Sequence, residues 1–156
     1  MSIHENHIIM LTWFLAFGIA ACASAATPVQ NEGAPPGLKP CPDSPNCVSS
    51  MAPNGKHHIA PIAYSGDRQT VWKALVKILE SFKRTRLIVR QKDYIHAEFA
   101  SALFGFVDDV EFRFSENKPM IDVRSASRTG YYDFGVNRRR IEEIRKRLAQ
   151  AVQESR

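Results

Sequence analysis

Residues 94–101 read YIHAEFAS, residues 108–115 read DDVEFRFS and residues 120–125 read MIDVRS. Apolar and polar residues alternate in all three. Ile95, Ala97 and Phe99 share one side of the first stretch, with Tyr94, His96 and Glu98 on the other. Val110, Phe112 and Phe114 oppose Asp109, Glu111 and Arg113, and Ile121 and Val123 oppose Asp122 and Arg124. Side chains of a strand alternate between faces, so period two with one polar face predicts an antiparallel sheet covered on one side only. The turn residues of Glu116-Asn117-Lys118-Pro119 separate the last two stretches.

Working outward, Arg86–Gln91 reads as a further strand, with Lys92-Asp93 as its turn. Ile59–Tyr64 reads as an edge strand, because Pro61 has no N–H for a central ladder. Between them, Val71, Trp72, Leu75, Ile78, Leu79 and Phe82 recur at steps of three and four, which predicts a helix over 67–83 capped by Asp67. Ile141, Ile144, Leu148 and Val152 predict a second helix over 137–153 with Asn137 as its cap. The expected fold is α+β: a curved antiparallel sheet of about five strands with two helices packed on one face, in the order β-α-β-β-β-β-α.

The chain has 156 residues and a formal charge of +5. That length fits one domain, here residues 39–156, plus a targeting segment and a linker. Ile8–Cys22 carries no charge and is too short for a membrane span, which needs about 20 residues. It matches the apolar core of an export signal, so residues 1–25 are read as a signal peptide or lipoprotein signal. The small residues of Ala23-Ser24-Ala25-Ala26 suit cleavage near Ala25, whereas Ile19-Ala20-Ala21-Cys22 resembles a bacterial lipobox with Cys22 as the lipidated residue. No Lys or Arg precedes Lys39, which is unusual for a signal, and the reading frame starts at Met1 or at Met10. Residues 26–38, rich in Pro and Gly, read as a flexible tether. The expected location is the periplasmic side of a bacterial membrane.

Five blocks carry a resemblance: CPDSPNCVSS (41–50), YIHAEF (94–99), FGFVDDVEFR (104–113), IDVRSASR (121–128) and YDFGVNRRR (132–140). In this order they resemble the bacterial and plastid family called domain of unknown function 1499, over about Leu38 to Leu148. Tyr131-Tyr132 after Gly130 is a minor departure. The resemblance implies no activity, substrate, cofactor or catalytic residue.

Cys41 and Cys47 are the two thiols left once Cys22 is acylated or removed, an even number that suits an oxidising compartment. A disulfide is the leading reading, ahead of free thiols and of a zinc site, since Cys-x5-Cys followed by His57-His58 departs from zinc spacing. No metal or cofactor is expected. The candidate ligand-binding residues lie on the polar sheet face: His96, Glu98, Glu111, Arg113 and Arg124, with Arg128 just beyond. Neighbours there are about 5–7 Å apart, close enough to form one patch. Arg124 and Arg128 are expected to converge at one rim, where guanidinium forks suit a carboxylate or phosphate. The alternative is a solvated face of cross-strand pairs, each contributing only a few tenths of a kcal/mol. The aromatic stretch 125–136 (SASRTGYYDFGV) either plugs the core or caps the sheet's end, with Phe104-Gly105-Phe106 as a second rim.

Residues 137–156 hold seven Lys/Arg against three Glu, a local +4. Export argues against nucleic acid as partner; a solvated helix with Glu142–Lys146 pairs, or contact with an anionic lipid headgroup, fits better. The functional expectation is a lipid-anchored cell-envelope binding or accessory domain without catalysis. Its partners are the membrane, through the lipid or signal anchor, and an anionic small molecule, lipid headgroup or envelope protein. The alternatives are an envelope enzyme using His96, Glu98, Glu111 and Arg124, and a structural protein-interaction module.

Overall fold

In the computed structural model, residues 37–53 and 55–155 are described. The expected signal, most of the linker and Cys22 lie outside them. The strands are β1 (Cys47–Ser49), β2 (Ile62–Ala63), β3 (Thr85–Arg90), β4 (Tyr94–Ala100), β5 (Val107–Phe114) and β6 (Met120–Ser127). The helices are α1 (Arg68–Ser81) and α2 (Val136–Glu154). The strands form one antiparallel sheet in the order β1-β6-β5-β4-β3, with β2 also pairing β6. This is the expected α+β fold with one strand more than the reading predicted. The added strand is β1, whose three residues are too few for periodicity to show.

The alternation does what period two requires. Ile95, Ala97, Phe99, Val110, Phe112, Phe114, Ile121 and Val123 are all buried under the helices. Val71, Leu75 and Leu79 of α1 and Ile141, Ile144 and Leu148 of α2 complete the core. Each such side chain removed from water contributes about 1.5–3 kcal/mol. Asp67 caps α1 as expected, its carboxylate accepting from Thr70 N at 2.8 Å. The helix stops at Ser81 rather than Lys83, since Phe82 is already extended and Arg84 turns left-handed at φ 58°. Pro61 leaves the expected strand at 59–64 only two ladder residues, Ile62 and Ala63.

Asn137 is not the cap of α2. The helix starts at Val136 behind Gly135, whose φ of 75° suits glycine. Asp133 does the capping, accepting from Gly135 N and Asn137 N at 2.9 Å each. Asn137 is instead a buried hub. Its amide donates to Asn46 O at 2.9 Å and Ser127 Oγ at 3.0 Å. Its carbonyl accepts from Ser125 Oγ and from Arg140 Nη1. One side chain thus joins α2, β6 and the segment leading into β1. Asn137→Ala strands several buried polar groups at once, so it is expected to cost roughly 2–4 kcal/mol in urea unfolding. A loss under about 1 kcal/mol would show that these bonds do not bind the elements together.

Candidate functional site

The face of the sheet turned away from the helices carries three cross-strand rows. Cys47, Ala126, Asp109, Glu98 and Arg86 form the first. Ser49, Arg124, Glu111 and His96 form the second, and Asp122, Arg113 and Tyr94 the third. Residues opposite one another share a face, so the register alone gathers the expected candidates. Asp108 points the other way and is bound by Arg140 of α2.

Two clusters result. In the first, Arg128 donates to Asp109 Oδ1 at 2.7 Å and to Glu98 Oε1, while Arg86 donates to Glu98 Oε2 at 2.8 Å. His96 Nε2 lies 2.7 Å from Asp109 Oδ1. Hydrogen bonds from Arg86, with Arg128 beside it, outweigh burial and hold the Glu98 carboxyl below its usual range. Burial pushes the Asp109 carboxyl up, but hydrogen bonds from Arg128 and His96 bring it below its ordinary value. The two carboxylates in turn raise the Arg128 guanidinium.

In the second cluster, Tyr94 Oη donates to Glu111 Oε1 at 2.7 Å and Arg124 donates to Glu111 Oε2 at 2.8 Å. Burial, then the hydrogen bond to the Glu111 carboxylate, pushes the Tyr94 phenol up. Arg113 stands apart from both clusters. The guanidiniums of Arg124 and Arg128 go to different carboxylates instead of converging on one anion site.

A solvated face of cross-strand pairs describes Arg86, Glu98 and Arg128 but not the middle of the sheet. Glu111 and Tyr94 are buried, and the Arg124 and Glu111 side chains are only 11% and 5% exposed. The first described residues lie beside this face. A Cβ at Gly37 would stand 3.6 Å from Arg113 Nη1, and Cys41 is joined to Cys47 of the first row. The chain from Gly37 to Cys41 therefore runs along this face as a strap. Leu38, Pro40 and Cys41 face Met51, Pro53 and His57 across a groove of about 250 Å³. His57 and His58 bond the carbonyls of Cys47 and Ala52 and do not face one another.

The aromatic stretch does not plug the core. Tyr131, Tyr132 and Phe134 are exposed, as are Leu103, Phe104 and Phe106. The basic helix makes its pairs as Arg145–Glu142 and Arg147–Glu143 rather than through Lys146. A groove of about 600 Å³ between α1 and β3, lined by Trp72, Arg68, Arg90 and Lys92, is a feature the sequence reading missed. There Arg90 stacks on Trp72 and pairs with Glu80, so its charge is already met.

The family model for proteins of unknown function, DUF1499, matches residues 37–148. The chain belongs to this family. A comparison with curated proteins gives no match. The DUF1499 match begins at Gly37, where the strap begins, and takes in both polar clusters, the disulfide and both aromatic loops.

Arg124 is the member of this face whose loss should cost most. Arg124→Ala leaves the Glu111 carboxylate buried beside a Tyr94 hydroxyl alone, and is expected to destabilise by roughly 3–5 kcal/mol. Arg86→Ala removes a guanidinium that is 75% exposed and should cost at most about 1 kcal/mol. Equal losses for the two variants in thermal or urea unfolding would mean that the Arg124–Glu111 pair is not shielded from water.

Proposed function

We propose that this chain is an exported, lipid-anchored domain of the cell envelope that works by binding rather than by turnover. One observation supports the reading most directly. Cys41 and Cys47 are joined, and they are the two cysteines that remain when Cys22 carries the lipid. Disulfides persist in oxidising compartments, so the bridge agrees with the uncharged run 8–22 and the lipobox-like Ile19-Ala20-Ala21-Cys22.

The electrostatics of the face favour binding over catalysis. A general acid or base works best when its pKa is drawn toward the operating pH. Glu98 and Asp109 are drawn the other way by the guanidiniums beside them. Glu111 divides its two oxygens between Tyr94 and Arg124. Ligand contact by His96, Glu98 and Arg128 belongs at the partly open rim, where the Arg128 side chain is 43% exposed. Glu111 and Arg124, paired and buried beside that rim, support it. The partner class is an anionic small molecule, a lipid headgroup or an envelope protein.

Cys22→Ser is expected to move the protein from the membrane fraction to the soluble fraction of the envelope and to abolish incorporation of labelled fatty acid. Unchanged membrane fractionation of the variant, with its N-terminal segment still attached, would contradict lipid anchoring.

A further inference from the structure

The exposed apolar side chains are not scattered. Of the eight large hydrophobic residues exposed among the described residues, seven are Leu103, Phe104, Phe106, Tyr131, Tyr132, Phe134 and Val136. Six come from two loops, 101–106 between β4 and β5 and 128–135 between β6 and α2, and Val136 opens α2 directly after the second. The ladder puts both loops at one end of the sheet. Asp108 pairs with Ser127, and Arg128 N donates to Val107 O at 3.0 Å. Within the loops the rings lean on each other, Phe104 on Phe106 at 5.5 Å and Tyr132 on Phe134 at 5.2 Å. Gly105, Gly130 and Phe134 sit at positive φ, which turns these loops back on themselves.

The same end is basic. Ala100 N donates to Arg84 O, which brings Lys83 and Arg84 beside the first loop, and Arg139 donates to Phe134 O in the second. Lys83, Arg84 and Arg139 are exposed and form no carboxylate pair among the described residues. The opposite end carries the charged turns at Lys92-Asp93 and Glu116–Lys118 and none of these exposed rings.

We propose that this end of the domain docks on an anionic phospholipid surface. The two loops would enter the headgroup region, and Lys83, Arg84 and Arg139 would lie against lipid phosphates. Clustered exposed apolar side chains mark contact sites, and aromatic rings beside cations are the chemistry that settles at a bilayer interface. Cations with no protein counter-charge are what an anionic leaflet attracts. The inference rests on the membrane-anchored reading above. Fourteen residues separate Cys22 from Gly37, and a chain of that length reaches at most about 50 Å. The eight-residue strands span only about 26 Å, so a tether starting beside Arg113 can still lay the far end on the membrane.

The test uses the full chain in vesicles of phosphatidylcholine, with and without phosphatidylglycerol. A tryptophan reporter is placed by Phe104→Trp, by Phe134→Trp, or at the opposite end by Lys118→Trp, and the unsubstituted chain supplies the background. With acyl-brominated lipid, the emission added at 104 and 134 should shift to the blue and be quenched, more strongly in anionic vesicles. The emission added at 118 should stay unquenched. Lys83→Glu with Arg84→Glu and Arg139→Glu should abolish the dependence on phosphatidylglycerol. Equal quenching at both ends, or none at 104 and 134, overturns the proposal. Quenching replaced by concentration-dependent self-association also overturns it, assigning the patch to a second copy. These readings follow the loops however the chain is held, so they fail or succeed separately from the Cys22→Ser fractionation.

Discussion

The Cys41–Cys47 bridge fastens the first described residues to the edge strand β1, beside a polar face whose middle is buried. It closes a loop with a sequence separation of 6, so its effect on chain entropy is small, about 2 kcal/mol. Its positional effect is larger. Beside it on the polar face Tyr94 and Glu111 are buried, and Arg124 is the partner that the Glu111 carboxylate requires. Arg124 Nε is itself buried without an acceptor among the described residues, a further desolvation cost carried by this pair. Toward the loops that follow β4 and β6, Arg128, Asp109, Glu98 and His96 stay partly open. One sheet face is therefore divided into a sealed half that holds the structure and an open half that can meet a partner.

The fold was legible wherever one face of an element alternates cleanly with the other. Tyr94–Ala100, Val107–Phe114 and α1 follow their periodicity because burial on the helix-facing side dominates every local preference. Misreadings arose where long-range contacts override local chemistry. Asn137 suits a cap by type, yet four polar groups from β6, α2 and the approach to β1 draw it inside. The membership of the polar face was also legible, since the register follows from the alternation. The burial of its middle was not, because alternation tells which face a side chain takes and not how much water reaches it. The aromatic loops lay beyond sequence reasoning for a related reason. A Tyr-Tyr-x-Phe run serves a core or a surface equally well, and only the backbone at Gly130 and Phe134 decides which way it turns.

These features make a coherent division of labour within the DUF1499 domain. The helices and the apolar sheet face supply the core, the Asn137 hub ties α2 to β6 and to the approach to β1, and the disulfide ties the strap to β1. The open rim of charges and the aromatic loops sit at the same end, so a surface that meets the aromatic side chains also approaches Arg128. A domain built this way needs no deep cavity to act.

The claim on which this account turns is that the chain is exported, processed at Cys22 and oxidised at Cys41–Cys47. Intact-mass spectrometry of protein extracted from its native membrane, with no reductant present, tests it in a single spectrum. The account predicts a chain beginning at Cys22, heavier by its lipid and lighter by the two hydrogens of one disulfide. A species beginning at Met1 or Met10 with all three thiols reduced would contradict it.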